Sequence, residues 1–444
     1  MISSEPTIKV GIFEQYTEVH GELHEQFSIT EDVIVSGEFN AKIDAGMIVL
    51  YGGKGIELLR QKEIHFKPMA YGEFILHDVV FGIHFHWERR ESQTFQGGLT
   101  LVMRDDGTIT AINKISVERY LASVISSEMS ATAPAALLKA HAITSRSWLV
   151  AMLEQKKKIS LVGIPSQRTH RTEDELIRWY DREDHDIFDV CADDHCQRYQ
   201  GISKIISSEV EEAIEATRGT FIMYENEICD ARFSKSCGGV TEVFENAWAD
   251  TPVPYLTCLS DSPYPHQPIC TEQEADKWIS SSPDAYCNTT DGNILRQILP
   301  SFDQETTDFF RWKVEYTRKE LEHLIHKKSG IDFGTLKNLI PMQRGPSGRI
   351  VKLKIVGTKK TLTVGKELEI RRWLSKSHLY SSAFIVVMEN DAAGIPTKFI
   401  LHGAGWGHGV GFCQIGAAVM AVQGFQAEEI VQHYFRNTEL KKLY

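Results

Sequence analysis

Three scarcities bound this chain of 444 residues before any motif is read. No apolar run reaches the roughly 20 residues that a bilayer-spanning helix needs. The opening Met1-Ile2-Ser3-Ser4-Glu5 has neither the basic start nor the apolar stretch of a secretory leader. Positive charge is also short: 48 Lys and Arg stand against 60 Asp and Glu, a formal charge of -12. Nucleic acid is therefore not expected as the main partner, because phosphate binding wants a basic surface. The eight cysteines are an even count without a dense disulfide framework. Cys258, Cys270 and Cys287 fall in a stretch rich in Ser, Pro and Asp, and their pairing is left open. No repeat or low-complexity tract interrupts a composition of 42% hydrophobic and 24% charged residues, enough to bury a large core.

What is present reads as an α+β chain, with strands and helices segregated rather than alternating. Residues 1–115 form a β-rich region, in which runs such as IKVGIF, VIVSGEF and FILHDVVFGIHF alternate between Gly and Asp-Gly turns. Residues 116–250 open helical and continue mixed, residues 251–310 read as a polar insertion, and residues 311–444 are a second mixed region. In the last, Thr317 is expected to cap a helix with Glu320 completing a capping box, and Gly424 is expected to split two short helices.

Residues 116–149 carry the sharpest local signal. Val117, Tyr120, Leu121, Val124 and Ile125 follow helical spacing, and a second apolar series starts after Thr132-Ala133-Pro134. Glu128 is thus predicted near the end of one helix, just before a turn. In the second helix Thr132 is the expected N-cap, Leu138, Ala142, Ser145, Leu149 and Met152 the buried stripe, and Lys139 and Arg146 share another face. A carboxyl group beside apolar walls can have its proton affinity raised, as a general acid near neutral pH requires. The plainer alternative is that Glu128 caps a helix or pairs with Lys139 or Arg146.

Residues 402–421, HGAGWGHGVGFCQIGAAVMA, crowd Gly403, Gly405, Gly407, Gly409, Gly411 and Gly416 around Trp406, His408 and Gln414. Such a density of glycine opens backbone conformations closed to other residues and permits close main-chain approach. The block lacks the Lys-Ser/Thr ending of a phosphate loop, and its spacing does not fit a dinucleotide fingerprint.

Together the two stretches resemble the SpoIID/LytB family of bacterial cell-wall proteins. Tyr120-Leu121 and Glu128-Met129, followed by Leu138, Lys139, Ala140, Ala142 and Arg146, match one family block. Residues 405–417 match the GWGHGVG-x-x-Q-x-GA block, and FSKSCGGVTE at residues 233–242 resembles the intervening S-x-x-GG-x-T-E block. The resemblance implies a peptidoglycan lytic transglycosylase that cleaves glycan strands to 1,6-anhydro products. It makes Glu128 the acid and base, with Lys139 and Arg146 orienting it or tuning its charge. Lys235, Ser236, Trp406, His408 and Gln414 would line the sugar site. The family also contains amidase enhancers that bind the wall without cutting it, which is the competing expectation, with a cell-wall amidase as partner. A cell-envelope or periplasmic location is implied as well, although the start of the sequence shows no leader. His141 and Cys413 depart from the family's usual Gln and Ser or Thr.

Two further clusters offer metal ligands. His185, Cys191, His195 and Cys196 supply the four nitrogen and sulfur donors of a tetrahedral zinc site. Some family members carry a similar cluster, and a closed set of four would make Zn2+ structural. A Cys191–Cys196 disulfide is the alternative. At HFHWE, strand alternation would put His84, His86 and Glu88 on one face, and a half-buried strand with Phe85 and Trp87 inward is preferred there over a metal site.

Overall fold

A computed structural model describes residues 2–82, 88–162, 169–179, 185–193, 195–300, 303–304 and 306–444. His84 and His86 lie outside the described residues. The chain divides into two compact units, one of Met1–Arg146, Asp184–Thr220 and Lys442–Tyr444, the other of Ser147–Glu183 and Phe221–Lys441.

The first unit is built on an 11-stranded sheet drawn almost entirely from the first 116 residues. Alternation sets which faces are buried: along Glu18–Ser28 the inward residues are Val19, Leu23 and Phe27. In Glu73–Phe81 the phase changes, with Phe74 and Leu76 inward and then Val79 and Phe81. A register shift between Leu76 and Val79, with Asp78 at φ 58°, absorbs the extra residue as a bulge, so both halves still face the core. Thr7–Tyr16 pairs antiparallel with Ile109–Ser116 on one side and parallel with the short strand Val190–Cys191 on the other.

Ile109–Ser116 runs straight into the helix Val117–Glu128, whose residues are buried nearly throughout. Glu128 is its last residue, as the spacing predicts. The next helix is Ala135–Val162, and its first hydrogen bond runs from the Leu138 N–H to the Pro134 carbonyl at 3.1 Å. Pro134 therefore occupies the capping position expected of Thr132, whose hydroxyl instead meets Ser130 Oγ at 2.7 Å. Every residue from Ala140 to Val150 is buried, so over these residues the helix shows no single apolar stripe.

The second unit holds a five-stranded sheet, ordered Thr169–Arg171, Glu175–Arg178, Thr361–Gly365, Ile350–Gly357 and Leu336–Arg344. A three-stranded sheet sets Pro396–Ala404 between Arg311–Thr317 and Phe384–Asn390. Trp312, Leu353, Ile355, Trp373, Phe384 and Phe399 share the core beneath them. The Thr317 capping box forms as expected, with Glu320 returning its side chain to the cap. Residues 251–310 contain the helices Glu272–Ile279 and Gly292–Ile298, and Ile269, Ala275 and Ile279 join Val240 and Ala404 in a second core. Among the described residues no helix is long and apolar enough to cross a membrane. The fold is mixed α+β with a β-rich N-terminal part.

Candidate functional site

Glu128 ends its helix with only 8% of its surface exposed. Its Oε1 accepts a 3.0 Å hydrogen bond from the backbone N–H of Arg198. The segment bearing Arg198 is laid along the Val117–Glu128 helix by several contacts. Gln200 N–H donates to Ser123 Oγ at 3.1 Å, the Arg198 guanidinium reaches the Ser127 carbonyl at 3.4 Å, and the Tyr199 ring stacks on Tyr120 at 5.1 Å. Tyr199 is pinned from its far end, where its hydroxyl donates to Asn113 Oδ1 at 2.6 Å. Sequence reading missed Arg198 because its contribution is a main-chain amide, for which no residue type is diagnostic.

Just upstream, Val190–Cys191 adds to the edge of the sheet, and Ala192 N–H continues the pairing to the Gly11 carbonyl at 2.9 Å. A Cβ on Gly11 would lie 2.6 Å from the Phe188 ring, which packs on His185 at 4.4 Å. That glycine makes room for the ring that braces the first histidine. The donor atoms of His185, Cys191, His195 and Cys196 all lie within 4.8 Å of one another. His185 Nε2 is 3.3 Å from Cys196 Sγ, and His195 Nδ1 is 3.4 Å from Cys196 Sγ and 3.9 Å from Cys191 Sγ. A tetrahedral site with metal–sulfur bonds of about 2.3 Å and metal–nitrogen bonds of about 2.0 Å has nitrogen–sulfur edges of roughly 3.5 Å. The four residues fit a metal ion, and all eight cysteines are free thiols. Burial first, then the charges of Cys196, Cys191 and Glu128, push the pKa of the Tyr120 hydroxyl upward. The acid and the donor cluster therefore share one neighbourhood in the first unit.

Arg146 is bonded to Glu118. Its Nε and Nη2 grip Glu118 at 2.9 and 2.6 Å, and its remaining donors reach the Thr220 carbonyl and the Thr217 hydroxyl. Glu118 in turn accepts from Gly219 N–H at 3.2 Å and from the Tyr444 hydroxyl at 2.6 Å. The pair is wholly buried, with side-chain exposures of 0% and 3%. Spacing puts Arg146 on one face with Lys139, and at Arg146 that face meets Glu118, at the start of the previous helix. Lys139 is half-buried.

Lys235, Ser236, Trp406, His408 and Gln414 belong to the second unit. The strands Phe233–Ser234 and Phe412–Cys413 pair in parallel, and beyond them Ser236 and Trp406 exchange backbone hydrogen bonds of 3.0 and 2.8 Å. The SKSCGG turn and the glycine-rich block are thus joined through their main chains. Lys235 makes a 2.9 Å ion pair with Asp303, both almost buried. The Trp406 ring packs against Tyr380 at 4.4 Å and Phe309 at 4.9 Å. His408 sits edge-on to Trp248 at 4.4 Å, and its Nδ1 accepts from Val410 N–H at 3.0 Å. Burial, then the charges of Arg232, Arg349 and Arg371, hold its pKa well below the ordinary imidazole range. Gln414 is buried at the start of the helix Gln414–Val422.

The density of glycine in this block has a reason that no local pattern discloses. Arg349 is 1% exposed, and its guanidinium donates to the Gly407 carbonyl at 3.0 and 3.2 Å, to the Cys237 carbonyl at 3.1 Å and to Ser347 Oγ at 3.0 Å. A Cβ on Gly409, which has φ 74°, would fall 2.3 Å from the guanidinium carbon. The loop therefore wraps a buried cation at main-chain distance. Gly409→Ala should lower the stability of this unit by about 3 kcal/mol through overpacking and backbone strain, read as a fall in the urea midpoint. An unchanged midpoint would show that the cradle is not tight.

The site is thus that of a mixed α+β protein in which a buried carboxylate is anchored beside a Cys/His donor set. The family described as stage II sporulation protein matches residues 105–224, and a domain of unknown function (DUF8618) matches residues 242–411. Stage II sporulation protein D of Bacillus amyloliquefaciens is 23% identical over 338 residues, covering 75% of this chain and 76% of its own. The stage II sporulation protein D of Bacillus subtilis (strain 168) is 22% identical over 75% of this chain and 76% of its own. The amidase enhancer of Bacillus subtilis (strain 168) is 23% identical over 53% of this chain and 33% of its own length. Residues 105–224 carry the stage II sporulation protein match, and both Glu128 and the donor cluster lie inside it.

Proposed function

We propose that this protein is a peptidoglycan lytic transglycosylase of the cell envelope, with Glu128 as its single acid and base. The observation that carries the proposal is the seat of Glu128: nearly buried, at a helix end, its carboxylate steadied by the Arg198 amide, and within the residues matched by the stage II sporulation protein family.

One carboxyl group suffices for this reaction. As the bond from C1 to the bridging oxygen breaks, the Glu128 carboxyl gives its proton to that oxygen. The resulting carboxylate then takes the proton of the sugar's own C6 hydroxyl, whose oxygen closes on C1. A 1,6-anhydro end forms, no water is consumed and Glu128 is protonated again. A glycosidase that uses water needs a second carboxylate instead. The Arg198 amide holds one carboxylate oxygen in place through both transfers.

The donor set His185, Cys191, His195 and Cys196 suits Zn2+. With four protein ligands the ion would leave no open position for water, so its contribution is structural. It would staple the loop whose continuation, two residues past Cys196, presents the Arg198 amide to Glu128. A Cys191→Ser/Cys196→Ser double variant should lose one equivalent of zinc by elemental analysis under reducing conditions. Its glycan-cleaving activity should fall with it, and unchanged zinc content would refute the assignment.

The reading is tested by incubating the purified full chain with intact and with peptide-stripped glycan strands and weighing the products. Sugars lighter by one water than hydrolysis products are expected. If neither substrate releases them, the second reading takes over, in which the chain binds the wall and stimulates an amidase. The likeness to an amidase enhancer supports that alternative. It predicts faster peptide-linkage cleavage by an added amidase, with the glycan strands left whole.

A further inference from the structure

The second unit contains a donor cluster that the proposed chemistry does not use. Cys237, Asp261, Cys287 and Cys413 come from four separate segments, yet one ligand atom of each lies within 4.8 Å of all the others. We propose that these residues form a second, structural metal site of Cys3Asp type for a divalent ion of the zinc class, distinct from the His185–Cys196 cluster.

The spacing fits a tetrahedral shell. Cys237 Sγ and Cys287 Sγ are 3.8 Å apart. Two thiolates on one ion with bonds of about 2.3 Å stand roughly 3.8 Å apart, whereas a disulfide would need about 2.05 Å. The four side chains are enclosed, with exposures of 2%, 0%, 0% and 0%. The full enclosure leaves no open position for water, which makes the site structural rather than catalytic.

The surroundings are arranged for anionic donors. Cys237 N–H points at Cys413 Sγ at 3.2 Å, and Cys413 caps the helix Gln414–Val422, whose N-terminal end favours negative charge. Asp261 accepts from Cys287 N–H at 2.8 Å and from the Tyr434 hydroxyl at 2.6 Å, which orients the carboxylate as partners of ligands usually do. Both of those donors are neutral, and among the described residues Asp261 makes no ion pair. A buried carboxylate without a cation is costly, and a bound metal ion removes that cost. Gly416 belongs to the same arrangement: a Cβ there would fall 2.3 Å from Asp261 Oδ1 and 2.5 Å from the Tyr434 hydroxyl.

One arginine contributes to the charge balance. Arg311 donates to the main-chain carbonyls of Gly238, Trp278, Ser281 and Phe310 and makes no ion pair among the described residues. Three thiolates and a carboxylate on one divalent ion carry a net charge of about -2, which would give this buried cation a counter-charge.

The experiment uses the full chain purified with zinc and a reducing agent. Elemental analysis of the Cys191→Ser/Cys196→Ser variant, and independently of His185→Ala/His195→Ala, should still find one equivalent of zinc. Refilling the metal-free form of either variant with cobalt(II) should give a strong thiolate-to-cobalt absorption and a tetrahedral spectrum. Cys237→Ser/Cys287→Ser in either background should abolish both the zinc and the absorption. Zinc-free first-cluster variants that remain folded by circular dichroism would overturn the proposal. So would a Cys237–Cys287 disulfide found by peptide mass analysis of the unreduced protein. These readouts do not involve glycan cleavage, so failure of the transglycosylase reading leaves this result interpretable by itself.

Discussion

Replacing Glu128 with Gln is expected to cut the release of anhydro-ended sugars by about 10²- to 10⁴-fold, the usual worth of a positioned acid or base. The substitution keeps the shape of the side chain and still lets its carbonyl oxygen accept from the Arg198 amide. Neither the helix end nor the docked Gln197–Gln200 segment needs to move, because that segment is also held by Ser123, Ser127 and Tyr120. Binding to glycan strands, measured by pull-down on insoluble wall, should therefore survive. The variant loses proton donation and acceptance together, since the same atom serves both halves of the reaction. Residual cleavage within tenfold of the parent would mean that another group carries the proton. Loss of wall binding together with activity would point to a binding role for Glu128.

Arg146→Met should produce the largest loss of stability of any single change in the first unit, about 3 to 5 kcal/mol. The cause is the partner left behind. Glu118 is enclosed, and without Arg146 it keeps only the Gly219 amide and the Tyr444 hydroxyl. Removing both charges as Glu118→Gln/Arg146→Met should recover much of the loss, because the buried ion has then gone. Denaturant unfolding followed by circular dichroism distinguishes the two variants. If the double variant is no better than the single one, the cost arises from lost packing of the long Arg side chain rather than from an orphaned charge. The same pair of variants separates stability from catalysis. Activity per folded molecule should be nearly unchanged in the double variant, since Arg146 is bonded to Glu118.

Several features were legible because their causes are local. Glu128 falls at the end of its helix because the apolar spacing stops there and Pro134 begins the next helix. The capping box at Thr317 forms because both partners lie within four residues. The strands of the first 116 residues follow the alternation of their side chains, and where Glu73–Phe81 breaks phase a bulge restores it. Other expectations depended on partners that spacing does not name. Thr132 has the right chemistry for a cap, but Ser130 takes its hydroxyl and Pro134 provides the first carbonyl. Spacing likewise does not name Asp303 as the partner of Lys235, nor Tyr380 and Phe309 as the rings that pack against Trp406.

By itself the sequence determined the class of fold, the helical setting of Glu128 and the ligand types in residues 185–196, since propensity, periodicity and donor chemistry act over a few residues. Tertiary structure alone decided that Arg146 answers Glu118, that the glycine-rich block closes around Arg349, and that Cys237, Asp261, Cys287 and Cys413 converge. Those three outcomes bring together groups far apart along the chain. Each is selected because a buried charge or polar atom must find a partner once water is gone, a requirement that only the folded interior imposes.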